Sequence, residues 1–135
     1  MEEQNINFDN VIQHWIKMAD NDYDTMIDMF AAKRYNWTLF IGHLVVEKLL
    51  KAVYVKVNKQ HPIPTHNLLK IAVNSNMHLS EEMQTELLTI SAFNIKGRYD
   101  DYKMEFYKIC TAEFTLLWVE KIKNIASWIK TGYLK

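Results

Sequence analysis

Only one cysteine, three glycines and two prolines occur among the 135 residues, and each scarcity excludes something. A lone Cys110 permits neither an internal disulfide nor a multi-cysteine zinc site. So few glycines and prolines suit long helices joined by short connections. Gly42 and Gly97 stand alone, so no phosphate-cradling glycine-rich loop and no Gly-x-Ser-x-Gly elbow is present. Net charge is missing too, because sixteen basic residues balance sixteen acidic ones. With no general pull toward polyanions, only a local basic patch can bind nucleic acid or anionic lipid. No apolar run reaches the roughly 18 residues of a membrane span. The densest stretch, Leu39 to Val57, carries His43, Glu47, Lys48, Lys51 and Lys56. The acidic, polar residues ahead of Phe8 do not read as a signal peptide. A cytoplasmic protein with a buried thiol is the expectation. Histidine is the last absence: none occurs after His78.

What remains is rich in apolar and aromatic residues, at 49% and 13%. That supports one domain over residues 1–135, long enough to bury about two-thirds of its unfolded surface. Phe8, Ile12, Trp15, Ala19, Tyr23, Met26 and Phe30 recur at steps of three or four and predict a helix over about residues 8–32. Lys33 to Asn36 reads as a turn. A second helix, about 37–57, is apolar around most of its circumference, which places it centrally or at a subunit interface. Pro62 and Pro64 break it. Thr65 is a cap for a short helix ending at Val73, and Ser80, Glu81 and Glu82 start a fourth that ends near Phe93. Tyr107, Cys110, Phe114, Leu117, Ile122, Ile125 and Ile129 trace a long last helix, with Gly132 as its left-handed cap. The expected fold is an all-α, antiparallel up-and-down bundle of about five helices, three long and two short.

Three groups hold possible chemistry. His43, Glu47 and Lys51 follow a four-residue step and share a polar stripe about 80° wide. They either face a ligand or partner, or form a solvated stripe with a Glu47–Lys51 pair; the solvated reading is the expectation. His61 and His66 flank the proline loop, but with His43 they show no recognised ligand spacing, so no metal and no cofactor is expected. The third group is the polar segment Asn94 to Lys103. Arg98 offers a planar fork for phosphate or carboxylate, Lys96 and Lys103 add charge, and Tyr99 and Tyr102 can stack on a base. A purely local role has Arg98 bridging Asp100 or Asp101.

Glu47-Lys48-Leu49-Leu50-Lys51-Ala52, then Thr65-His66-Asn67-Leu68, then Gly97-Arg98-Tyr99-Asp100-Asp101 together resemble the HEPN domain (higher eukaryotes and prokaryotes nucleotide-binding). That family carries a Glu-Lys-x-x-Lys-Ala helix, a Thr-His-Asp/Asn-Leu turn and a later Ala-Arg-Tyr-Pro-Asp-like segment. Order and spacing agree from Trp15 to the last helix. The resemblance implies a helical bundle, commonly dimeric. Many members are metal-independent ribonucleases, often toxins, with an Arg-x(4–6)-His motif at the dimer interface. Arg98 matches the motif arginine, whereas Lys103, Met104 and Glu105 occupy the histidine positions and Asp100 replaces the common proline.

Acid–base cleavage of RNA needs a group that exchanges protons near neutral pH, which imidazole does and lysine does not without a large pKa depression. Other members act beside a minimal nucleotidyltransferase, a role that needs no histidine. The resemblance therefore implies a non-catalytic nucleotide- or nucleic-acid-binding module, homodimeric, working with such a partner in a toxin–antitoxin or substrate-binding role. The residues concerned are Arg98, Tyr99, Asp101, Lys103, His43, Glu47, Lys51 and His66. The alternative is a divergent ribonuclease in which His43 or His66 reaches Arg98 from another helix or subunit.

Overall fold

The computed structural model describes residues 7–135; the acidic opening of the chain, residues 1–6, lies outside them. Six helices follow in order: α1 (Phe8–Ala31), α2 (Tyr35–Asn58), α3 (Leu68–Val73), α4 (Glu81–Arg98), α5 (Asp100–Ile109) and α6 (Ala112–Tyr133). No strand occurs among the described residues. The all-α fold is as the sequence implies, with one helix more than the five expected.

Helix α1 starts where Asn7 Oδ1 accepts the Asn10 amide N–H. Its entire apolar stripe, Phe8 to Phe30, enters the two hydrophobic clusters. Lys33 adopts a left-handed φ of 63°, and α2 turns back along α1. Fourteen residues of α2 are buried, and the helix packs against every other one. Its many valines, weak helix formers alone, are held by this burial on all sides. Leu39, Val46, Leu49, Leu50 and Val53 lose all solvent contact. Lys59, with φ 55°, ends the helix ahead of the proline loop.

Three expected boundaries move. Asn67, rather than Thr65, caps α3 by accepting the Lys70 N–H, while Thr65 Oγ1 accepts from the Asn67 N–H. Ser80 caps α4 as expected, but the helix continues five residues past Phe93 to Arg98. Gly132 lies inside α6 and has no positive φ.

The largest correction concerns the expected long last helix and the polar segment before it. Tyr99, extended at φ −97° and ψ 134°, ends α4 and begins α5. Asp100 and Asp101 then occupy the first turn of α5, where carboxylates favour the exposed amides. A second break at Cys110 separates α5 from α6, which Thr111 caps through the Phe114 N–H. Cys110 is thus at a corner, not on the last helix. Burial pushes its thiol up to about 12, so it is inert packing. No helix among the described residues is long and apolar enough to cross a membrane.

Candidate functional site

Two groups of polar side chains meet across α2 and α4. The inner group grows from the four-residue step on α2, which places His43, Glu47 and Lys51 on one helix face. That face is not solvated: all three residues are buried. The expected Glu47–Lys51 pair does form, with Lys51 Nζ donating to Glu47 Oε2 at 2.9 Å. Burial makes it a structural ion pair instead of a surface one. On its other side the Lys51 ammonium lies 5.5 Å from the centroid of the Trp15 indole, a cation–π contact that replaces part of its lost hydration.

The other carboxylate oxygen faces the two imidazoles. His66, brought in by the loop before α3, places Nδ1 2.8 Å from Glu47 Oε1. His43 Nε2 is 2.9 Å from the same oxygen but out of line with it, so neither ring nitrogen of His43 completes a hydrogen bond. The imidazole rings stand 6.0 Å apart at 68°. Burial alone pushes the Glu47 carboxyl upward. The hydrogen bonds of Lys51 and His66, together with the His43 imidazole close by, outweigh it and hold the group at about 2. Glu47 is therefore a buried carboxylate, ionised at neutral pH, that anchors Lys51 and His66 and lies against His43.

The ligand atoms of His43, Glu47 and His66 all lie within 4.8 Å of one another. Of the trio imagined from the sequence, His61 is elsewhere, edge-on to Phe8. Glu47 takes its place. The available signal was the His43–Glu47 step of four, which puts two ligand-bearing side chains on one helix face.

The outer group lies at the end of α4. Arg98 bridges neither Asp100 nor Asp101: its Nε and Nη2 both donate to Asn94 Oδ1, at 3.1 and 2.9 Å. Its guanidinium carbon lies 5.5 Å from the centroid of Phe40, and the Phe40 ring is 6.0 Å from that of His43. Gly97 allows this stacking, because a Cβ there would meet Phe40 at 2.9 Å. Lys103 turns to the Trp37 ring, 5.3 Å away, and to Asp100 Oδ1 at 3.6 Å. Tyr99 and Asp101 are exposed, and their side chains make no hydrogen bond among the described residues. The structure thus gathers His43, Glu47, Lys51 and His66 in one cluster and leaves Tyr99, Asp101 and Lys103 apart from it.

An open groove of about 440 Å³ lies between His66 of the inner group and Asn94, which holds Arg98. His66, Asn67 and Ser91 line it, with Asn94, Ala92, Leu88 and Ile95 along α4. Asn94 is the link, since it borders the groove and holds Arg98. Ser91 and Asn94 are groove residues not among the expected site residues: in the sequence Ser91 reads as an ordinary helix position and Asn94 as the start of the polar segment. Ser91 Oγ accepts the Leu68 N–H at 2.9 Å and so fixes the start of α3 beside the groove.

The family model described as HEPN domain matches residues 12–131, nearly the whole chain. No curated protein and no solved structure matches.

Proposed function

The chain belongs to the HEPN domain family, and from that premise we propose a non-catalytic module that binds a nucleotide or nucleic acid in the groove between α4 and the loop before α3. The observation that carries this reading is the posture of Arg98. Its Nε and Nη2 are held by Asn94 and its face rests on Phe40, while Nη1 makes no hydrogen bond among the described residues. A guanidinium fixed in this way meets a phosphate with little further loss of side-chain freedom. Tyr99 and Tyr102 stand exposed nearby in sequence and supply stacking surfaces, and Asp101 and Lys103 follow on the same segment.

Catalysis is disfavoured by the residues that follow. Lys103, Met104 and Glu105 offer no imidazole where the ribonuclease members carry one. The module instead works beside a minimal nucleotidyltransferase, in a toxin–antitoxin or substrate-binding role, and pairs with a second copy of itself. Supporting the pairing, Leu88, Ile95 and Tyr99 are exposed and, with the partly exposed Ala92, recur at steps of four, three and four, an apolar stripe whose first three members also line the groove, so that a second copy would wall it in. Calorimetry with a nucleoside triphosphate and with single-stranded RNA tests the binding. Co-purification with a nucleotidyltransferase encoded next to this chain tests the partnership. No heat with either ligand and no association overturn the reading.

One observation favours a second reading, a divergent ribonuclease. Glu47 holds His66 by Nδ1 while about half of that side chain stays exposed on the groove that Asn94 shares. A carboxylate-oriented imidazole with its far nitrogen free is the usual form of a general base. RNA cleavage by clean protein, lost in both Arg98→Ala and His66→Ala, establishes this reading; no cleavage dismisses it.

A further inference from the structure

The most unusual group in the molecule is His43. It is fully buried, and among the described residues both ring nitrogens lack a hydrogen-bond partner, although one of them stands 2.9 Å from a carboxylate oxygen. Orphaned buried imidazole nitrogens carry a desolvation cost that folded proteins rarely leave unmet. A ring nitrogen close to an acceptor yet misaligned with it is well placed to hold something between the two.

We infer that His43 Nε2, Glu47 Oε1 and His66 Nδ1 form a binding site for a divalent transition-metal ion of the zinc, cobalt or nickel class. This inference goes beyond nucleotide binding and does not depend on it. The three atoms already converge: Oε1 is 2.9 Å from His43 Nε2 and 2.8 Å from His66 Nδ1, and all ligand atoms lie within 4.8 Å of one another. A tetrahedral ion with bonds of about 2.0–2.1 Å needs its ligand atoms about 3.3 Å apart. To admit it the carboxylate withdraws from each imidazole by about half an ångström, and the two ring nitrogens, within 4.8 Å of each other, settle to the same spacing. Three protein ligands leave a fourth position for water. Half-exposed His66 provides the entrance from the groove.

The neighbourhood also selects among ions. Lys51 Nζ bonds Glu47 Oε2, leaving Oε1 as the ligand oxygen, and brings a positive charge close by. That charge disfavours ions held mainly by attraction to oxygen, such as calcium and magnesium, which also demand more oxygen ligands than this site has. Ions that gain most from imidazole nitrogen tolerate it better. Phe40 and Trp15 also flank the cluster, against His43 and Lys51.

The test is a titration of chelator-treated full-length protein with Co²⁺, read by the visible absorption of four-coordinate cobalt, then displaced with Zn²⁺. One equivalent is expected to bind saturably. His66→Ala removes a ligand at a half-exposed position, with helical content unchanged by circular dichroism, and is expected to weaken binding at least about tenfold. Lys51→Met is expected to strengthen it, because the competing charge is gone. The exposed histidines provide the control: a His14→Ala/His61→Ala/His78→Ala variant is expected to bind like the parent. Absence of saturable binding overturns the inference. So does binding that survives His66→Ala or disappears in the triple variant, since the ion is then held at surface histidines.

Discussion

His66 Nδ1 and Glu47 Oε1 lie 2.8 Å apart across nineteen residues, which ties the loop before α3 to the middle of the central helix. Glu47 also carries Lys51 on its second oxygen, so one buried carboxylate organises the proline loop, α2 and, through the Lys51–Trp15 contact, α1. Breaking a buried pair from one side strands the other charge, which costs on the order of 3–5 kcal/mol. Glu47→Gln is therefore expected to lower the free energy of unfolding by about that amount in urea denaturation. Asp20, paired with Lys130 where both side chains are substantially exposed, is the contrast: Asp20→Asn is expected to cost less than about 1 kcal/mol.

The same carboxylate sets a pH dependence. Burial raises its pKa, but the nearby His43 imidazole and the hydrogen bonds of Lys51 and His66 reverse this and hold it at about 2, below the ordinary 4.5. A group depressed on folding contributes stability above its unfolded pKa and loses it as pH falls toward the folded value. The contribution is thus complete at pH 6 and fades from about pH 5 down to about pH 2. The shift corresponds to something on the order of 3 kcal/mol. Denaturation of wild type and Glu47→Gln across that range is expected to show the gap between them closing as acid is added. A constant gap contradicts the assignment.

Glycine substitutions separate packing from helix propensity. A Cβ at Gly97 would meet Phe40 Cδ1 at 2.9 Å and its Cβ at 3.1 Å, so Gly97→Ala pushes on the ring that supports Arg98. It is expected to destabilise by about 1–3 kcal/mol, offset in part by the better helix former. At Gly132, inside α6, a Cβ meets nothing within 4 Å, and Gly132→Ala is expected to stabilise by about 0.5–1 kcal/mol. Thermal melts of the two variants are expected to move in opposite directions.

The pattern of steps along Phe8 to Phe30 made α1 legible, as did the near-continuous apolar circumference of α2. Ser80 with its following acids marked the start of α4. The break at Tyr99 was hidden because Lys96, Arg98 and Asp100 are polar whether a segment is loop or exposed helix. The α5–α6 corner was hidden for the opposite reason. Tyr107, Cys110 and Phe114 keep helical spacing straight through it, so only the Thr111 cap signals the break. The inner cluster was legible as a row of His43, Glu47 and Lys51 but not as a buried one. Its burial depends on Trp15 and His66, which arrive from elsewhere in the chain. Arg98 was picked out, whereas its partner Asn94, four residues earlier on the same helix, was taken for the start of a loop.

The exposed stripe on α4 makes a prediction about assembly. Leu88 and Ile95 stand about half exposed on the same face, and a second copy is the proposed cover. Ile95→Glu places a charge in such an interface and is expected to give a monomer by light scattering at micromolar concentration, where the parent is dimeric. Its melting is expected to shift little at a concentration where the parent is itself dissociated, because position 95 contributes little to the core of the single chain.

Arg98 bears the central claim most directly. The decisive measurement is an isothermal titration of single-stranded RNA, and separately of a nucleoside triphosphate, into wild type and Arg98→Ala at low salt, with melting temperatures recorded alongside. The account predicts saturable binding of one of these by wild type and at least about tenfold weaker binding by the variant, since a charge-assisted phosphate contact contributes about 1.5–3 kcal/mol. The melting temperature is expected to stay nearly constant. Equal affinities for both proteins, or heats no larger than dilution for both ligands, contradict it.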